Sequence, residues 1–129
     1  MKILGIGVDI IENKRIKKSI KNIRFKERVY SSKELNVDCV EIHTGKISNI
    51  VKTKKKYTNE LNRIKRCSIL ANKLNIEVHA GHGLDYKTTK ILSKIKEIEE
   101  FNIGHFIIGE SIFFGLSSVI KKFKKIIKN

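Results

Sequence analysis

All four histidines of the chain lie in three short segments of similar design. Val37–Gly45 (VDCVEIHTG), Ile76–Leu84 (IEVHAGHGL) and Phe101–Gly109 (FNIGHFIIG) each combine apolar residues with a histidine close to glycine. Histidine exchanges protons near neutral pH, and glycine lets the backbone approach a ligand closely. The three segments therefore predict acid–base chemistry on a small phosphorylated molecule.

The candidate functional side chains are Glu41, His43, His82 and His105. Glu41 alternates with apolar neighbours, so it points to the opposite face of a strand, where a carboxylate can orient a histidine or stabilise positive charge. His43 has the alternative of bonding within its own loop, and His79 is expected to be a packing residue. A Zn²⁺ or Fe²⁺ site is a weaker alternative, because nothing in the spacing demands it.

Predicted strands and helices alternate along the whole chain, and this pattern favours a parallel sheet. Each histidine segment falls at or near the carboxyl end of a strand, where α/β folds bind ligands. Backbone N–H groups of the glycine-containing loops after the last two strands would suit a phosphate. The remaining predicted elements are a strand at Met1–Ile11, a solvated basic connection at Lys46–Thr58, and helices at Asn13–Val29, Asn59–Asn75 and Glu110–Lys128.

Finer features of these helices also follow from the sequence. Asn75 is a plausible left-handed residue at the end of its helix. Thr88 or Thr89 could cap the helix that follows. In the final helix the residues predicted to face inward are Ile112, Leu116, Val119, Phe123 and Ile126–Ile127.

The composition fits one globular domain of 129 residues with 40% hydrophobic residues. The net charge of +15 comes mostly from lysines spread along the chain, without aromatic interleaving, so no dedicated nucleic-acid binding is predicted. Cys39 and Cys67 are expected to be reduced core residues. No apolar run is long enough to span a bilayer, and we expect a cytoplasmic protein.

The strings VEIHTG, VHAGHGLDY and FNIGHFIIGESIFFGL recur in the order seen in the C-terminal part of pyridoxine 5′-phosphate synthases. Residues 35–129 resemble that family. The resemblance implies a partial TIM barrel of three C-terminal βα units, preceded here by an extra strand and helix. It implies vitamin B6 biosynthesis by condensation of 3-amino-2-oxopropyl phosphate with 1-deoxy-xylulose 5-phosphate, a homo-oligomer, and no metal or organic cofactor.

The same resemblance implies roles for individual residues. Glu41 matches the glutamate that stabilises the transition state, and His82 matches the general acid that helps phosphate leave. Gly83, Gly104 and His105 match the residues that hold the phosphate. His79 departs from the family, which commonly has asparagine there.

Residues 1–34 resemble instead the start of holo-acyl-carrier-protein synthases, through GIGVDIIENKRI and RFKERVYSSKE. That resemblance would give Asp9 a role in binding Mg²⁺ and place Arg15 near the nucleotide substrate. The second metal carboxylate of that family is missing from the sequence, so phosphopantetheinyl transfer is the weaker alternative.

The sequence thus predicts a fused or truncated chain with little turnover of its own. A third alternative is a non-catalytic interaction module that binds an intact synthase or an acidic acyl carrier protein.

Overall fold

A computed structural model describes residues 7–9, 32 and 36–128 of the chain, with the backbone alone for 7–9. Strands and helices alternate along these residues. The strands are β1 (Gly7–Asp9), β2 (Cys39–His43), β3 (Glu77–Gly81) and β4 (Glu100–Asn102). The helices are α1 (Gly45–Lys52), α2 (Thr58–Lys73), α3 (Tyr86–Leu92), α4 (His105–Phe114) and α5 (Leu116–Ile127).

The strands form one parallel sheet in the order β1-β2-β3-β4, so the predicted α/β class with a parallel sheet is confirmed. In the register of β2 and β3, Glu41 pairs with His79 and His43 pairs with Gly81. Gly81 pairs in turn with Asn102 of β4. The carboxyl ends of three neighbouring strands therefore meet at one edge of the sheet, which is where open parallel sheets bind ligands.

One face of the sheet is apolar and packs on the helices. Burial alternates along β2, where Val40 and Ile42 are buried and their neighbours are half-buried. This alternation leaves Glu41 on the other, polar face, as predicted. The buried apolar cluster comprises Val40, Ile42, Ile47, Ile64, Cys67, Ala71, Ile76, Val78, Ala80, Leu84, Leu92, Ile95 and Ile98.

The prediction of a solvated connection at Lys46–Thr58 is wrong for its first half, which is helix α1. Ile47 and Ser48 are buried there. Lys46 ties α1 to α2 through a salt bridge of 3.0 Å to Glu60. Ile47, Ile50 and Val51 have the i, i+3, i+4 spacing of a helix, and Val51 packs against the core, so the sequence holds a short helical signal beside the basic run.

The single helix predicted at Glu110–Lys128 is in fact two helices. Gly115 separates α4 from α5 with φ +74°, a left-handed conformation that glycine adopts without strain. Val119 and Phe123 are buried, as predicted, but the inward placement of Ile112 and Leu116 is wrong, since their exposed fractions are 77% and 55%.

Of the finer predictions about helix ends, one is confirmed and one is wrong. Asn75 follows α2 with φ +57°, which confirms a left-handed residue there. Asp85, not Thr88 or Thr89, caps α3, and its side chain accepts a hydrogen bond of 2.7 Å from the Thr88 amide. Cys67 is buried and Cys39 half-buried, and both thiols are free.

The predicted helix Asn13–Val29 and the boundary near residue 34 lie outside the described residues. Three residues of the predicted strand Met1–Ile11 lie within them, as β1. No helix in the described part of the chain has the length and apolar character needed to cross a membrane.

Candidate functional site at the carboxyl ends of β2, β3 and β4

The loop after β2 is fastened to the loop after β3 by one buried side chain. The Thr44 amide donates a hydrogen bond of 2.7 Å to the Gly81 carbonyl. The Thr44 hydroxyl lies 2.7 Å from the same carbonyl and 2.8 Å from that of His82. Thr44 is fully buried, so these bonds are shielded from water. The two loops are held in one fixed relation, and with them His43 and His82.

His43 and His82 stack against each other in consequence. Their ring centroids are 4.2 Å apart and the ring planes differ by 25°. Gly45 makes the stack possible, because a Cβ there would lie 2.8 Å from a carbon of each ring. His43 thus supports the exposed ring of His82, in place of the bond within its own loop that was the alternative.

The loop that carries His82 has an unusual backbone. His82 and Gly83 adopt φ values of +77° and +72°, and such values are uncommon for any residue other than glycine. Backbone of this kind concentrates at functional sites, where the surrounding structure imposes it. Gly81 is needed for a different reason: a Cβ there would lie 2.5 Å from the Glu41 carboxyl carbon.

Glu41 is held by a residue from β4. Its carboxylate accepts a hydrogen bond of 2.5 Å from the Asn102 side-chain amide. The bond joins the outer two of three neighbouring strands across Gly81, which has no side chain to intervene. Charge-assisted bonds of this kind are short and strong, so the carboxylate has a defined position.

A cleft of about 390 Å³ opens beside these groups. It brings together four of the predicted residues, His82, Gly83, Gly104 and His105. His105 is the first residue of α4, so the free backbone N–H groups of that helix begin at the cleft. The other lining residues are Lys52, Leu84, Asn102, Ile103 and Phe106.

Glu41 and His43 are not among the lining residues, but each contacts one that is. Glu41 bonds Asn102 and His43 stacks on His82. The predicted set therefore comes together as a cleft with two supporting side chains behind it.

Carboxylates and a histidine crowd the polar face of the sheet further from the cleft. His79 lies half-buried there, and its ring bonds Glu77 at 2.8 Å with Glu100 at 3.7 Å. His79 thus lies on the polar face of the sheet, where its side chain is 16% exposed. Burial raises the pKa of the nearby Cys39 thiol, and the negative charge of Glu77 raises it further.

Asn102 and Lys52 are the polar lining residues that sequence reasoning missed. Asn102 stood inside the FNIGH string, but only the register of β4 shows that it faces Glu41. Lys52 belonged to a basic run read as solvated.

A metal site needs several ligating side chains close together. No group of three or more histidine, cysteine, aspartate or glutamate side chains among them could hold a metal ion. Asp9 pairs by backbone register with Glu41, and its side chain lies outside the description.

A parallel α/β sheet with a cleft at the carboxyl ends of its strands is the architecture of the class of proteins that bind small ligands at that edge. Comparison with known families makes this specific. The model of the pyridoxal phosphate biosynthesis protein PdxJ matches residues 7–129, and the chain belongs to this family.

Curated relatives point the same way. A pyridoxine 5′-phosphate synthase of Pelagibacter ubique is 56% identical over 93% of this chain and 56% of its own length. Those of a Sulfurihydrogenibium species and of Aliarcobacter butzleri are 45% and 38% identical, each over 80% of this chain and under half of their own length. The chain thus spans about half the length of the relatives it matches.

The family match also includes most of the segment whose sequence resembles holo-acyl-carrier-protein synthases. That resemblance, the division at residues 34 and 35, and any Mg²⁺ role for Asp9 stay predictions.

Proposed function

We propose that this chain carries a part of the pyridoxine 5′-phosphate synthase site that binds phosphorylated substrates and transfers protons to them. The observation that carries the proposal is the cleft, where His82, Gly83, Gly104 and His105 come together from two strand ends. These are four of the five residues to which the family resemblance gives roles. The fifth, Glu41, is joined to the cleft through Asn102.

The proposed division of labour follows from position. Gly83 and Gly104 leave space at the cleft, and the first N–H groups of α4 beside His105 offer donors to phosphate oxygens. The exposed His82 ring donates a proton to the phosphate oxygen that is joined to carbon. The bond between that oxygen and the carbon breaks at the same time, and the phosphate leaves. Glu41, fixed by Asn102, stabilises positive charge that develops on the substrate. These steps call for no metal or organic cofactor.

The proposed substrates are 3-amino-2-oxopropyl phosphate and 1-deoxy-xylulose 5-phosphate. We expect the purified chain to bind them and inorganic phosphate, with little or no formation of pyridoxine 5′-phosphate. Calorimetric titration tests binding, and chromatographic detection of product tests turnover. Sustained product formation would contradict the inactivity, and failure to bind any of the three anions would contradict the function.

A variant pair makes the binding test specific. His105→Ala removes a cleft side chain at the start of α4 and should weaken phosphate binding by about tenfold, the loss of one charge-assisted contact. His79→Asn changes a histidine outside the cleft and should leave phosphate affinity within twofold. Equal affinities for both variants would mean that phosphate binds elsewhere.

We further propose that a second copy of the chain covers the outer side of α4. None of the residues of α4 is buried, and Phe113 is 79% exposed. The other large exposed apolar side chains nearby are Ile108, Ile112, Phe114 and Leu116. Several large apolar side chains exposed within one short stretch of chain favour an interface there.

Association is tested by sedimentation at increasing concentration. We expect oligomers for the unchanged chain and a shift toward monomer for Phe113→Asp. A monomer at all concentrations contradicts this proposal without affecting that of the cleft.

A further inference from the structure

Among the described residues that line the cleft, Lys52 is the one lysine and none carries a carboxylate. A lysine ammonium is charged throughout the neutral range, whereas a histidine gains and loses its charge there. Among the described residues, the Glu41 carboxylate lies behind the lining, where it bonds Asn102, so Lys52 adds a basic group to a lining without a carboxylate of its own.

The position of Lys52 is set by a short and well-anchored helix. α1 begins at Gly45 and ends at Lys52. Gly45 directly follows Thr44, which bonds the loop after β3. Ile47 is buried in the core, and the Lys46–Glu60 salt bridge ties the helix to α2. The stem of Lys52 is thereby carried at a fixed place relative to the loop of His82.

The ammonium of Lys52 has no hydrogen-bond or ion-pair partner within residues 36–128, in contrast to that of Lys46. Within that part of the chain, it can bind a ligand without first breaking an internal contact. Because it lines the same cleft as His105, an anion there would meet a lysine from α1 and the first turn of α4.

We propose that Lys52 is a phosphate-binding residue of this cleft and that it sets the preference for doubly charged phosphate groups over neutral ligands. The inference rests on the proposed function of the cleft and adds a residue to it. Lys52 contributes a positive charge, and the backbone and histidine donors contribute the directional hydrogen bonds that orient the phosphate. Lysine commonly has this role in phosphate sites.

The test compares lysines of the same basic run. Lys52→Gln and Lys56→Gln remove the same charge from exposed positions, but only Lys52 lines the cleft. Inorganic phosphate is titrated calorimetrically into each variant at about 50 mM and 200 mM salt, where screening of exposed charges differs clearly. Thermal unfolding checks that both variants stay folded.

We expect Lys52→Gln to weaken phosphate binding by about tenfold and to reduce its salt dependence. Lys56→Gln should stay within about twofold, since its charge lies outside the lining. Lys52→Arg should retain most of the affinity, because it retains the charge.

Two failures are distinguishable. If the unchanged chain binds no phosphate, the proposed function is overturned and this inference with it. If the unchanged chain binds and His105→Ala weakens binding, but Lys52→Gln matches Lys56→Gln, only the role of Lys52 is overturned.

Discussion

Replacing Gly81 by alanine should move the Glu41 carboxylate while leaving the fold intact. A Cβ at residue 81 would lie 2.5 Å from the carboxyl carbon and 2.7 Å from Oε2 of Glu41. Nonbonded carbons prefer about 3.5 Å or more, so the carboxylate must retreat by about 1 Å. A retreat of that size takes the 2.5 Å bond to Asn102 beyond normal hydrogen-bond length.

The effect on stability should be small because two terms oppose each other. Losing one exposed hydrogen bond to a carboxylate costs at most about 1 kcal/mol. Gly81 has no positive φ, so alanine fits its backbone and gains about 0.5–1 kcal/mol from the stiffer unfolded chain. The melting temperature should therefore change by less than about 5 °C.

Nuclear magnetic resonance provides the direct assay through the Asn102 side-chain amide. We expect its proton resonances to move toward those of a free amide in Gly81→Ala. Gly109→Ala is the matched control, because a Cβ there meets nothing within 4 Å. An Asn102 amide that keeps its position in a folded Gly81→Ala protein would refute the argument that Gly81 makes room for Glu41.

Three further predictions concern stability and the histidine stack. Burial alone would raise the pKa of Glu60, but hydrogen bonds from Arg63 and Lys46 outweigh it and lower the pKa. The free energy of unfolding should therefore fall as pH drops below about 4.5. Glu60→Gln should cost about 2 kcal/mol at pH 7 in urea unfolding and flatten that acid slope, and an unchanged slope would count against it. Leu92→Ala should cost about 3 kcal/mol in the same assay, because the side chain is fully buried; a loss below about 1 kcal/mol would show a loosely packed core. Gly45→Ala should separate the stacked rings and shift the His43 ring proton resonances, and unchanged resonances would mean that the stack does not depend on Gly45.

The parts of the fold that the sequence predicted are those with strong periodic signals. β2 alternates apolar and polar residues, and α2 has a regular apolar side, so both were located within a few residues. Helix α4 was missed for the opposite reason. Its apolar residues are distributed around the helix with no preferred face, so the run carries no period that distinguishes a strand from a helix.

The site was predictable where a residue's type alone was informative. His82 between two glycines and Glu41 within an apolar strand both stood out, because an ordinary core explains neither. Asn102 did not stand out, because its partner Glu41 is 61 residues away and only the strand register brings them together. Lys52 did not stand out either, because three of the four residues after it are also lysines and a basic run of this kind is usually solvated.

Helix α4 belongs to two surfaces at once. Its first residues, His105 and Phe106, line the cleft, and its later residues form the exposed apolar side. Phe106 also packs edge-on against Tyr86 of α3, with ring centroids 4.9 Å apart, so α4 contacts α3 beside the cleft. Thermodynamic linkage then requires reciprocity: if covering the outer side orders α4 and tightens phosphate binding, phosphate must tighten the association by the same factor. The affinity of the cleft for phosphate would then depend on the concentration of the chain itself.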